Sequence, residues 1–160
     1  MRQSRYEMVY ETRLGFAAPP RVVWSAMEDL DHFERWSGGL GKVRVNGESL
    51  RTGSVLRGSV APPVPYRMEL WVELSDCVPG RLIDATIHGD LEGAAHLSLE
   101  PAGEGASLDV RWTVEMMQRP MRLAALAAYP LLRWGHDLVV DATVRGFRAH
   151  VRELHDRGRS

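Results

Sequence analysis

Two polar side chains sit where an apolar surface is otherwise written, and they are the first candidates for chemistry. Between Leu131 and Leu154 a periodicity of 100° per residue gathers Leu132, His136, Val139, Val140, Thr143, Phe147, His150, Val151 and Leu154 onto one face of a helix. His136 and Thr143 lie about two turns apart on that face. An imidazole titrates near neutrality, so His136 could act as a general acid or base, and both groups could orient a hydroxyl or carbonyl of a bound molecule. The plainer alternative is a core histidine satisfied by a backbone carbonyl or a water. His150, in the last turns, is expected at an edge of the same face. His88 and Asp84 share one side of a strand that should face outward, which favours a solvated polar surface. Tyr66 and Arg67 follow a proline-rich turn and read as a loop-packing ring and a surface cation.

Other signals carry less. Gly38-Gly39-Leu40-Gly41-Lys42 resembles a phosphate loop only superficially, because Val43 replaces the Ser/Thr and a strand follows instead of a helix. No Gly-x-Ser-x-Gly elbow occurs. The six histidines show no metal spacing, since His150 and His155 would diverge by about 140° on a helix. No metal and no organic cofactor is expected. Cys77 is the single cysteine, so no internal disulfide can form and a reducing compartment is implied. Its neighbours Ser75 and Asp76 read as a strand end.

The elements that must position these groups follow from patterning. The chain has 160 residues, 44% apolar and 26% charged, with a net charge of -1. That suits one globular domain spanning residues 1–160 and gives no support for a nucleic-acid partner. The longest apolar run, Leu123 to Leu132, is too short to span a bilayer and contains Pro130. Met1 to Tyr10 lacks the apolar core of a signal peptide, so a cytoplasmic location is expected. Tyr6 to Leu14 reads as a strand, and Pro19-Pro20 opens a short helix through Met27. A second short helix, started by Asp29 or Asp31 and carrying Leu30, Phe33 and Trp36, ends at Gly38-Gly39.

Six further strands are predicted: Lys42 to Glu48, Ser54 to Val60, Tyr66 to Ser75, Arg81 to His88, Glu92 to Glu100 and Ala106 to Met117. Hairpin-type separators such as Pro79-Gly80 and Gly89-Asp90 divide them. Leu108, Val110, Trp112, Val114 and Met116 share one side of the last strand, and Met68, Leu70, Val72 and Leu74 one side of the Tyr66 strand. Ile83, Ala85 and Ile87 alternate less decisively. The long terminal helix, about 36 Å at 1.5 Å per residue, is expected to cover that apolar side, with Asp137, Asp141, Arg145, Arg148 and Arg152 towards water.

This order resembles the START-like or helix-grip (SRPBCC) superfamily, the group called polyketide cyclase/dehydrase and lipid transport. The resemblance is carried by Ala18-Pro19-Pro20-Arg21-Val22-Val23-Trp24, Asp29 through Trp36, Pro79-Gly80-Arg81-Leu82, Gly89-Asp90-Leu91-Glu92-Gly93, the last strand and the terminal helix. It implies an α+β fold in which a curved antiparallel sheet of about seven strands wraps around the C-terminal helix, with two short helices after the first strand. It also implies an internal cavity between sheet and helix, because a bent sheet cannot meet a straight rod along its whole length. The walls would be Met68, Leu70, Trp112, Val114, Val140 and Phe147, with Trp36 and Tyr66 nearer the mouth and His136 and Thr143 as polar groups inside. Such pockets hold a mainly apolar ligand oriented by a few polar atoms. Three readings stay open. The first is a carrier of a lipid, aromatic or polyketide-like molecule, and the second a cyclase or dehydratase using His136. The third is an interaction module, a homodimer included, built on Leu123 to Leu132 or an exposed Trp71.

Overall fold

The computed structural model describes residues 7–29, 44–46, 50–60, 68–117, 137 and 140–159. Strand β1 (Glu7–Phe16) leads into helix α1 (Pro20–Glu28), followed by β2 (Arg44–Asn46), β3 (Val55–Val60), β4 (Met68–Val78), β5 (Leu82–Gly89), β6 (Leu91–Ala102) and β7 (Gly105–Met116). A final helix, α2, spans 140–157. The seven strands form one sheet in the order β1-β7-β6-β5-β4-β3-β2, and every neighbouring pair is antiparallel. All connections from β2 to β7 are therefore between adjacent strands, while β1 closes the opposite edge by pairing with β7. The architecture is α+β, as expected. Of the two expected short helices α1 is the first, and the second falls on residues outside those described.

Helix α1 begins where proline costs least. Pro20 occupies the first turn, Pro19 is extended at φ -67° and ψ 161°, and its carbonyl accepts from the backbone N–H of Val22 and Val23 at 3.0 and 3.3 Å. Val22, Val23, Trp24 and Ala26 are buried against the sheet, where α1 packs on β6 and β7. The Trp24 indole N–H donates to Glu28 Oε1 at 2.7 Å, so the ring's one polar atom is satisfied one turn on.

The expected faces of β4 and β7 are both found. Inward positions of β7 from Ala106 to Met116 are buried apart from Trp112, which is half-buried, and β4 alternates from Met68 to Leu74. Ile83 and Ala85 are buried too, which settles the less decisive strand in the expected sense. Ser75-Asp76-Cys77 does lie at the end of a strand, but that strand runs three residues past the expected boundary at Ser75. The register slips between Leu74 and Asp76, and β4 continues to Val78. The bulge turns Cys77 into the core, and Thr52 secures it: its Oγ accepts from the Cys77 N–H at 3.0 Å and lies 3.4 Å from the Cys77 carbonyl. A single skipped residue breaks period-two patterning, so alternation alone reads the segment as terminated.

Burial on the inner face is extensive. Leu14, Ala18, Val23, Trp24, Leu74, Cys77, Ile83, Leu99, Leu108 and Val110 form one cluster with Phe147 and Val151 of α2. Each fully buried valine or leucine there contributes roughly 1.5–3 kcal/mol from water-exclusion alone. Cys77 is 7% exposed, and burial, then Asp76, then Glu28 hold its thiol above the ordinary cysteine range. The native protein is expected to resist an aromatic disulfide reagent at mildly alkaline pH and to react stoichiometrically once unfolded. Fast reaction of the folded chain would contradict the burial.

Candidate functional site: the inner face of the sheet

The sequence-expected wall residues divide sharply. Val114, Val140 and Phe147 are buried at 4%, 8% and 7% exposure. Met68, Leu70, Trp112 and Thr143 are half-buried. Trp36, Tyr66 and His136 lie outside the described residues. Trp112 and Val114 stand two apart on β7, with Ala95 and Gly93 of β6 directly opposite them. Met68 and Leu70 come from β4, on the far side of β5 and β6. Val140, Thr143 and Phe147 share the sheet-facing stripe of α2, where Val151 is also buried.

Registers across the middle strands define the floor of this face. Trp112 opposes Ala95, Ala95 opposes Ala85, and Ala85 opposes Leu74; the next inward row runs Val114, Gly93, Ile87, Val72. Three of the central positions are thus alanine or glycine. Small side chains remove bulk from the centre of the sheet while larger ones flank it. Ile87, Ala95, Leu97 and Trp112 are only half-buried although they point inward from strands with neighbours on both sides. The spacing of Ala85 with the Gly93-x-Ala95 pair was the available sequence signal for this feature. It is weak by itself, because alanines on adjacent strands align only once the register is known.

Tyr10 of β1 adds a residue that patterning did not single out. Its ring stacks on Trp112, with centroids 4.3 Å apart and planes 24° from parallel, which makes a continuous aromatic shelf beside the alanine floor. The two residues are register partners across β1 and β7. At the other end of β1, Phe16 meets the Phe147 ring edge-on at 5.7 Å. Arg148 differs from expectation: instead of facing water freely, its guanidinium lies 5.4 Å above Phe16 and donates to the Gly15 carbonyl at 2.8 Å. A long amphipathic side chain at the border of a helical stripe can fold back over an aromatic ring, which a 100° plot does not represent.

His150 is also more enclosed than an edge position implies. Its side chain is 12% exposed, and its Nε2 lies 3.1 Å from Oδ2 of Asp29. Asp29 is the C-cap residue of α1. The pair ties the last turns of α2 to the end of α1, two elements that each contribute to the core cluster.

Known proteins share this arrangement. The family profile described as polyketide cyclase / dehydrase and lipid transport matches residues 9–154. The chain belongs to that family. Solved structures agree with this membership at the level of the fold. A Thermus thermophilus protein has a TM-score of 0.71 at 14% identity, with 92% of this chain and 97% of that one covered. A conserved protein of Geobacillus kaustophilus gives 0.72 at 13% identity, with the same two coverages of 92% and 97%. A Chromobacterium violaceum protein gives 0.66 at 18% identity, covering 89% and 96%. A comparison with functionally curated proteins gave no significant match. Identities this low speak for the fold alone. Among the described residues, no helix is long and apolar enough to cross a membrane.

Proposed function

We propose that the protein binds an apolar small molecule (a lipid, or an aromatic or polyketide-like compound) between the inner face of the sheet and α2. The observation that supports this most is the floor of Ala85, Ala95 and Gly93 flanked by half-buried Trp112, Ile87 and Leu70. A sheet that fills its centre with alanine and glycine, beside large side chains left half-accessible, suits a guest better than a closed core. Family membership points the same way. Met68, Leu70, Val114, Val140 and Phe147 are the proposed apolar contacts, Trp36 and Tyr66 the proposed mouth, and Thr143 a polar contact. The lone buried thiol accords with a cytoplasmic site of action.

The binding reading is tested by denaturing the purified protein, extracting it with organic solvent and analysing the extract by mass spectrometry. A parallel thermal-shift series uses fatty acids and polycyclic aromatics. A recurring apolar species, or a Tm that rises with probe concentration, supports the reading. An empty extract together with a flat series would sink it. Trp112→Ala is expected to weaken retention of an apolar fluorescent dye about tenfold, equal to about 1.4 kcal/mol, by removing half of the aromatic shelf. Dye affinity is measured by fluorescence titration at a temperature where the variant stays folded.

A second reading, cyclase- or dehydratase-type catalysis on the bound molecule, draws on Thr143. It is a hydroxyl half-buried on the apolar stripe between Val140 and Phe147. His136 is the proposed proton-transfer group, acting without metal or organic cofactor. Under this reading His136→Ala abolishes turnover of a polyketide-type substrate while dye binding persists; equal turnover removes His136 from the mechanism.

A further inference from the structure

The sheet carries a depression bordered by outward polar side chains, with Ala85, Ala95 and Trp112 of the inward row also on its lining. Ala94 of β6 lies between Thr86 of β5 and Thr113 of β7 in one cross-strand row, and its single methyl leaves a dip of about 290 Å³. The next row is Asp84, His96 and Arg111, again on three adjacent strands, and these side chains form one wall. Ser75 closes a corner, its hydroxyl donating to the Asp84 carbonyl at 3.1 Å.

The polar atoms of this wall are unevenly engaged. Asp84 Oδ1 holds the His96 ring through Nδ1. That contact orients the imidazole and leaves Nε2 without a partner among the described residues. Arg13, the neighbouring outward cation on β1, is consumed by Asp109: its Nε donates to Oδ1 at 2.7 Å and its Nη2 to Oδ2 at 3.2 Å. Arg111 has no such carboxylate among the described residues, although Glu11 stands opposite it in the register. A guanidinium with its fork of donors open, beside a carboxylate-oriented imidazole, is suited to an oxyanion that also carries a hydroxyl. Arg111 and His96 are direct register partners, so their Cβ atoms are about 5 Å apart, which fits a carboxylate or phosphate separated by one or two bonds from an OH.

We propose that this depression binds a small hydroxylated oxyanion, with Arg111 holding the anionic group, His96 Nε2 accepting from the neighbouring hydroxyl, and Thr86 and Thr113 contacting the remainder. Hydroxycarboxylates and sugar-type phosphates share that chemistry. The experiment is a titration of the ¹⁵N-labelled full chain, followed by amide shifts, with lactate, glycerol 3-phosphate, acetate and glycerol in turn. Saturable shifts centred on residues 84–96 and 111–113 are expected with at least one hydroxylated anion, and the tighter of the two identifies the oxyanion. Acetate and glycerol should each bind about tenfold more weakly. Arg111→Gln should remove the response. Ala94→Val, a β-favouring change at an exposed strand position, should also remove it by filling the dip while leaving the remaining spectrum intact. Absence of saturable shifts, acetate binding as tightly as lactate and glycerol 3-phosphate, or a response that survives both substitutions would each overturn the proposal.

Discussion

Gly93→Ala is expected to destabilise the protein by about 3 kcal/mol or more, a fall in Tm of roughly 10 °C for a chain of this size. A Cβ placed at Gly93 would lie 1.9 Å from the Thr113 carbonyl oxygen and 2.9 Å from the Val114 Cα. Both are backbone atoms of the neighbouring strand, so no rotamer change relieves the clash; β6 and β7 must move apart. That separation stretches the ladder beside Trp112 and Val114, where the inner face is floored by small residues. Gly15→Ala is the control, because nothing lies within 4 Å of a Cβ there. The expected change at Gly15 is within about 0.5 kcal/mol. Urea denaturation of both variants decides the matter, and a Gly93→Ala midpoint equal to wild type would mean the two strands do not approach as closely as described.

Phe147→Ala is the second large effect, with an expected loss of about 3–5 kcal/mol. Phe147 is 7% exposed, joins the cluster containing Leu14, Leu108 and Val151, and presents its ring to the edge of Phe16. Removing it opens a void in the core cluster and loosens α2 from β1. Arg148, stacked on the same Phe16 ring, loses part of its support as well. Phe147→Leu retains most of the volume and is expected to cost about 1–1.5 kcal/mol. A thermal or urea melt compares the three chains. Near-identical losses for the alanine and leucine variants would show that packing volume at this site is not what holds the helix down.

These two substitutions bear on function in different ways. Phe147 is buried in the main core cluster, and Trp112 stands half-buried beside the alanine floor. The larger loss of stability is expected at the first residue, and the second is the position at which probe retention is best measured without unfolding the chain.

Much of this architecture was legible in residue order. Alternation in Met68–Leu74 and Leu108–Met116 determined which side of the sheet turns inward, because successive strand side chains point to opposite faces. Pro19-Pro20 marked the start of α1, Gly89-Asp90 marked the β5–β6 turn, and the stripe through Val140, Phe147 and Val151 marked the buried side of α2. The succession of these elements was enough for family membership.

What pairs with what was decided only in three dimensions. The Tyr10–Trp112 shelf, the His150–Asp29 tie, the Arg148–Phe16 contact and the Gly93–Thr113 approach all join segments distant in the chain. So does the meeting of Asp84, His96 and Arg111 on three strands. The bulge at Ser75, which turns Cys77 into the core, shifts the phase of β4 without a local signature. The reason is physical: periodicity records whether a side chain faces water or core, a one-body property of each position. Register, bulges and close backbone approaches depend on two segments at once, and their energies appear only when the chain brings those segments together.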